Sequence, residues 1–194
     1  MVIAVTQSKT YTAEEYLNRE IESDIRSEFR AGEIVEMTGG TPEHNEIIRM
    51  FVFLLTAALR KQPYSIFVTD QRLWIPEADI YTYPDVMVTQ KPIALKPGRK
   101  DTVMNPVLIA ETLSESTQGY DRGEKFARYR TIETFQEYVL IDQYRPHVEH
   151  YVKQATKQWL FTEYDSLETK FTLASVPVEI ALTDLYEAIE FEND

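Results

Sequence analysis

Two carboxylates in this sequence stand at the ends of apolar runs, where a strand would meet solvent. Asp85 follows Tyr83-Pro84 and heads Val86-Met87-Val88, and Glu111 closes Val107-Leu108-Ile109-Ala110. Carboxylates brought together at a sheet edge repel each other unless something cationic lies between them. A hard divalent ion, Mg²⁺ or Mn²⁺, accepts such oxygen ligands. It would neutralise a scissile phosphate and activate water, which are the two needs of phosphodiester hydrolysis. A lysine close by would orient that water. Plainer readings stand beside these. Asp85 can be a strand-start residue, and Lys125 can form a surface ion pair with Asp121 at i,i+4 spacing. Glu111 resists a plain reading, because ionised carboxylates are rarely set against a core without a partner.

Other chemistry is narrow. The absence of cysteine removes disulfides, thiol catalysis and zinc–thiolate sites, and fits a reducing cytoplasm. His44 falls in the first turn of a helix, where capping or packing accounts for it. His147 and His150 lie three apart in a strand-like stretch, so they face opposite sides and make a poor metal pair. Trp74 and Trp159 read as core or interface anchors. Ser114, Ser116 and Thr117 form a polar turn suited to capping the next helix or positioning a phosphate. The formal charge of −12 sits awkwardly with nucleic-acid binding, which draws on lysines and arginines. A local basic strip can coexist with an acidic remainder. Basic residues gather at Lys91, Lys96, Arg99 and Lys100, and again at Arg122, Lys125, Arg128 and Arg130.

Positioning these groups falls to a predicted α/β arrangement. Thr12 to Glu15 has capping-box spacing and opens a helix to about Glu22. Ser27–Met37 alternates around Ala31-Gly32 as a β-hairpin. Thr41-Pro42 starts a long helix over 42–61 with one apolar stripe, as for a helix packed on a sheet. Strands are expected at 65–69, 72–75, 84–89 and 107–112, and residues 91–101 read as a mobile surface loop. A second helix is expected over 120–131, then a strand at 137–141 and a hairpin from 148–152 and 159–164. A short amphipathic piece, 182–189, ends the chain. The unit from Val107 to Ile141 implies a crossover and hence a parallel strand pair. The length suits one domain, 1–194. No apolar run spans a membrane, and the first residues lack the pattern of a signal peptide.

Several ordered motifs resemble a known family. Phe29-Arg-Ala-Gly-Glu-Ile-Val-Glu-Met37 and Pro42-Glu-His-Asn45 come first. Tyr83-Pro-Asp85-Val-Met-Val and Pro106-Val-Leu-Ile-Ala-Glu111-Thr-Leu-Ser-Glu-Ser-Thr117 follow. Asp121-Arg-Gly-Glu-Lys125-Phe-Ala-Arg-Tyr129 and Glu137-Tyr-Val-Leu-Ile-Asp142 complete the set. Together they resemble the Uma-type restriction endonucleases of the PD-(D/E)XK nuclease superfamily, from about Tyr11 to Tyr164. The resemblance implies Asp85 and Glu111 as metal ligands and Glu28 as an additional acidic residue. Glu28 can also be read as a solvent-facing strand residue. The superfamily's lysine usually lies two residues after the strand glutamate, where this chain has Leu113. The Uma-type pattern instead implies Lys125, on the following helix. The same resemblance makes His44 a candidate for contact with a ligand residue or substrate.

These readings converge on a mixed central β-sheet flanked by helices and on a Mg²⁺- or Mn²⁺-dependent endonuclease acting on DNA. The expected chain is cytoplasmic, has no membrane partner, and forms a homodimer. The rival expectation is a catalytically silent nuclease fold that serves as a binding or regulatory module; the charge and Leu113 favour it.

Overall fold

The capping box forms as the sequence prescribes. In the computed structural model, which describes residues 10–191, Thr12 Oγ1 accepts from the Glu15 amide while Glu15 returns a bond to the Thr12 amide. This opens helix α1 (Ala13–Glu22), which leads into strands β1 (Ser27–Arg30) and β2 (Glu33–Glu36). Their tight turn uses positive φ at Ala31 (50°) and Gly32 (108°), the geometry favoured for two-residue hairpins. A Cβ on Gly32 would lie 2.6 Å from Thr10, so glycine is required there on two counts. Helix α2 (Pro42–Ala58) follows its Thr41 cap, three residues shorter than expected.

Strands β3 (Tyr64–Val68), β4 (Arg72–Ile75), β5 (Ile80–Thr82), β6 (Val86–Gln90), β7 (Thr102–Val103) and β8 (Pro106–Leu113) come next. A helical stretch then runs through Gln118–Tyr120, a wider π-type turn at Asp121–Lys125, and Phe126–Tyr129. We call these three pieces the site helix. Strands β9 (Glu137–Asp142), β10 (Val148–Ala155), β11 (Gln158–Tyr164), β12 (Lys170–Thr172) and β13 (Glu179–Ala181) complete the chain, with a helical turn at Leu182–Leu185.

The fold is mixed α/β, with mixed sheets flanked by helices. Six strands form the main sheet in the order β11-β10-β9-β8-β6-β3. All neighbours are antiparallel except β8 and β9, the parallel pair required by the crossover through the site helix. A five-stranded sheet, β2-β1-β5-β4-β7, was not foreseen as a separate layer. Its three- and two-residue strands β5 and β7 are too short to show a period of two. The pair β12–β13 was missed for the same reason.

Strand parity divides the core. Val86, Val88, Leu108, Ala110, Val139 and Ile141 face α2 and the C-terminal residues Phe171–Tyr186, so the core continues past Tyr164, where the resemblance ends. Met87, Ile109, Leu113, Tyr138 and Leu140 face the opposite way, toward Tyr129 of the site helix and Leu73 and Ile80 of the smaller sheet. Trp159 joins this second cluster through Phe126 and Phe135, with ring centroids at 5.2 and 5.5 Å. Among the described residues no helix is long and apolar enough to cross a membrane.

Candidate active site

Glu111 shares its strand face with Ile109 and Leu113, because side chains two residues apart lie on one side of a sheet. It therefore points into the layer between the six-stranded sheet and the site helix, and is only 3% exposed. Asp85 lies in the short link by which the chain leaves β5 in one sheet and enters β6 in the other. The β6–β8 register pairs Val86 with Ala110, which brings Asp85 beside Glu111. The Asp85 amide donates to Glu111 Oε2 at 3.3 Å, and the Thr112 amide donates to Asp85 Oδ2 at 2.8 Å.

The site helix supplies the cation. Lys125 Nζ lies 2.8 Å from Glu111 Oε1 and 3.3 Å from Asp121 Oδ1. One turn on, the Tyr129 hydroxyl donates to the same Glu111 oxygen at 2.8 Å. The Asp121–Lys125 pair is therefore not the surface ion pair that i,i+4 spacing suggests, since both residues are almost wholly buried. Leu113, where the superfamily usually has its lysine, packs into the apolar cluster with Phe126 and Tyr129.

Glu28 also departs from its solvent-facing reading. It is 5% exposed on β1, where pairing with β5 sets it opposite Thr82. The Thr82 hydroxyl donates to Glu28, and Arg30 grips its other oxygen at 2.6 and 2.9 Å. Glu28, Asp85, Glu111, Asp121 and Lys125 all line one cleft of about 460 Å³ at the junction of the two sheets.

His44 is the residue that sequence reasoning undervalued. Its Nε2 lies 3.2 Å from Asp85 Oδ2, an approach that long-range bonds make possible. Thr41 Oγ1 accepts from the His44 amide and donates to Gln143 Oε1 at 2.6 Å, and Gln143 Nε2 donates to the Leu113 carbonyl at 2.6 Å. This chain ties the start of α2 to the end of β8. Gly40 makes room, because a Cβ there would come within 2.7 Å of the His44 ring. The signal available in the sequence was Gly39-Gly40 directly before a capped helix whose third residue is histidine.

Electrostatics separate the site groups. Burial, reinforced by Asp85 and Asp121 and opposed by Lys125, pushes the Glu111 carboxyl up to about 8. Burial works against the Lys125 ammonium, yet Glu111, Asp121 and Glu28 outweigh it and hold its pKa well above the usual value. Glu28 is pulled up by burial but drawn below its ordinary range by Lys125, Thr82 and Arg30. Lys125 therefore stays charged, and the negative groups around it exceed it in number.

The donors fit a hard cation in one respect and not in another. Among the described residues, no group of three or more His, Asp or Glu side chains could enclose a metal ion. However, Asp85 takes both its partners on Oδ2, and Glu111 Oε2 meets only the Asp85 amide. Asp85 Oδ1 and Glu111 Oε2 thus remain for a ligand. Mg²⁺ typically takes one or two carboxylates and completes its shell with water and phosphate, so this open pair suits it.

The predicted basic strips are mostly spent on neighbours. Arg99 bonds Asp101, Arg122 bonds Glu149, Arg128 pairs with Glu124, and Lys96 reaches Tyr81 while lying over Trp74. His147 and His150 sit apart from the cleft, against Glu163 and Glu137 respectively. Ser114 Oγ bonds Ser116 and Thr117 in the turn before the site helix, on the cleft wall.

Comparison with known proteins follows the same line. The Synechocystis sp. uncharacterized protein sll1609 is 43% identical over 178 residues, covering 91% of this chain and 99% of that one. A second Synechocystis sp. protein, slr1290, is 31% identical over 180 residues and 92% of each. A crystal structure from Anabaena variabilis, described as "a putative nuclease belonging to DUF820", superposes with a TM-score of 0.74 at 19% identity, covering 91% of this chain and 98% of that one. It shares the fold. The family model described as "Uma2: Putative restriction endonuclease" matches residues 13–184, a span that includes each of the cleft carboxylates and Lys125, and the chain belongs to that family.

Proposed function

We propose that this protein is a metal-dependent endonuclease that hydrolyses phosphodiester bonds in DNA, with Asp85 and Glu111 holding Mg²⁺ or Mn²⁺. The observation that carries this reading is the pairing of Asp85 with Glu111 on the cleft wall, each with one carboxylate oxygen left open, beside the buried acids Asp121 and Glu28 and a single lysine. A site with surplus buried negative charge and two open carboxylate oxygens is built to receive a cation. When bound, the ion supplies Lewis-acid neutralisation of the phosphate and a more acidic water.

The chain's own residues do the rest. Thr112 and His44 fix the Asp85 carboxylate through one oxygen, and Tyr129 and Lys125 fix Glu111 through one oxygen. Each ligand is thereby oriented before anything binds. Lys125, held charged, cannot serve as a base; its one remaining N–H orients the attacking water or offsets charge on the phosphate. Glu28, ionised by its neighbours, assists by keeping Lys125 charged. Cytoplasmic location and a homodimer belong to the same proposal.

The test is cleavage of supercoiled plasmid with Mg²⁺ or Mn²⁺ at low salt, with Glu111→Gln, Asp85→Asn and Lys125→Met alongside. Metal-dependent cleavage lost in all three variants supports the reading. No cleavage, together with no thermal stabilisation by either metal, would favour the second reading: a silent nuclease fold used for binding. The charge of −12 and the absence of a lysine two residues after Glu111 lend that alternative its weight.

A further inference from the structure

The cleft is unsuited to a continuous duplex. Glu36 and Glu115 join Glu28, Asp85, Glu111 and Asp121 on its walls, against only Arg30 and Lys125. Both cations are committed, Arg30 to Glu28 and Lys125 to Glu111 and Asp121. Duplex binding draws most of its affinity from lysines and arginines that replace counterions along many phosphates. Little here could do so beyond the metal-held phosphate itself.

What the cleft offers instead is an aromatic ring. Tyr144, on the turn after β9, is 53% exposed and lines the cleft. It is nonetheless held at both ends. Its amide donates to Asp142 Oδ1 at 2.8 Å, and its hydroxyl accepts from the Glu115 amide at 3.3 Å. An exposed tyrosine normally has to be ordered when a ligand stacks on it, and that ordering costs affinity. Here the backbone and the hydroxyl fix the ring in advance, leaving its surface to a partner. Deeper in the same cleft, the Tyr120 ring is already covered by the Arg30 guanidinium at 3.9 Å, so Tyr144 is the platform still open.

We infer that the cleft accepts an unpaired nucleobase stacked on Tyr144, making the substrate class single-stranded or locally unpaired nucleic acid. This rests on the nuclease reading above. Stacking is tolerant of base identity because every base presents a π-face. A single strand carries about half the charge of a duplex per unit length, so an acidic cleft repels it less.

The experiment is fluorescence anisotropy of the full chain, in EDTA to prevent cleavage, with a labelled single-stranded 12-mer and a labelled duplex of the same sequence. Tyr144→Ala and Tyr144→Phe are measured beside wild type. The single strand is expected to bind more tightly than the duplex. Tyr144→Ala should weaken it by roughly 5- to 150-fold, the usual range for one stacked base. Tyr144→Phe, which keeps the ring, should stay within a few-fold of wild type, and the melting temperatures should agree. Equal binding of duplex and single strand, or no effect of Tyr144→Ala, overturns the inference. Metal-dependent cleavage of duplex without preference for unpaired DNA overturns it while leaving the nuclease reading intact. Absence of both binding and cleavage overturns the two together.

Discussion

Glu111 and Glu137 lie on neighbouring parallel strands, three residues apart in register, and both are nearly or wholly buried. Their carboxyls move in opposite directions. Glu137 accepts from the amides of Ala174 and Ser175, from the Ser175 hydroxyl and from His150 Nε2, at 2.5–2.9 Å. Burial raises its pKa, but these donors outweigh burial and bring it below the ordinary value. Glu111 has Tyr129, the Asp85 amide at 3.3 Å, one shared lysine and two acidic neighbours, and it is pushed up to about 8. Burial alone therefore does not mark a site. What distinguishes Glu111 is charge left over after its donors are counted, whereas Glu137 is a satisfied clamp holding residues 174–175 against β9.

Exchanging each glutamate for glutamine breaks the comparison most sharply. Glu111→Gln should lower metal-dependent cleavage by more than about 100-fold, since even partners one shell removed from a metal cost about 10–100-fold. Its melting temperature should hold or rise, because a poorly compensated buried acid is removed. Glu137→Gln should do the reverse. Cleavage is retained while stability falls by roughly 3–5 kcal/mol, the cost of leaving one partner of a buried ionic cluster uncompensated. Plasmid nicking and chemical denaturation measure the two effects. A Glu111→Gln protein that cuts normally would remove the distinction.

How much of this was legible follows from how local each signal is. Glu111 could be read because a carboxylate at the end of an unbroken apolar strand is itself anomalous. Asp85 could be read from the strand it heads, and the parallel β8–β9 pair from the length of the crossover between them. Glu28 could not, because its burial depends on β1 pairing with β5, a three-residue strand with no visible periodicity. Asp121 looked like a surface partner because i,i+4 spacing does not say which face of a helix docks. His44 reaches Asp85 only through Thr41 and Gln143, residues far apart in sequence. Leu113 and Lys125 show the complement of this. The strand position two residues on keeps the right face but is claimed by an apolar cluster, so a long side chain from the helix reaches the carboxylate instead.

Metal sharpens the comparison next. At a concentration about 100 times its dissociation constant, Mg²⁺ or Mn²⁺ should stabilise wild type by about 2.7 kcal/mol. Glu137→Gln should gain as much, and Glu111→Gln almost nothing, by differential scanning fluorimetry. Orientation of Asp85 has a smaller share. His44→Ala should weaken Mn²⁺ binding about 10-fold in calorimetry, the low end for a partner that orients a ligand. Gly40→Ala should do likewise by displacing the ring, although residue 40 itself touches no ligand. If both variants bind Mn²⁺ as wild type does, His44 has no positioning role.

The subtlest contrast lies in pH, and the two glutamates carry opposite signs. For Glu111 the folded value, about 8, exceeds the unfolded one near 4.5. The folded state therefore keeps a proton that the unfolded chain has released. Its contribution to stability is complete below about pH 4.5 and is lost as pH rises toward 8, with a limiting slope of about 1.4 kcal/mol per pH unit. For Glu137 the folded value lies below the unfolded one, so its contribution is present at neutral pH and is lost on acidification through that lower value. In metal-free buffer, the stability difference between wild type and Glu111→Gln should shift against wild type from pH 5 to pH 8. The corresponding difference for Glu137→Gln should stay level over that range and shrink only in acid. Parallel curves for the two variants would mean that the two carboxyls share one kind of environment, and that the surplus charge assigned to Glu111 is not there.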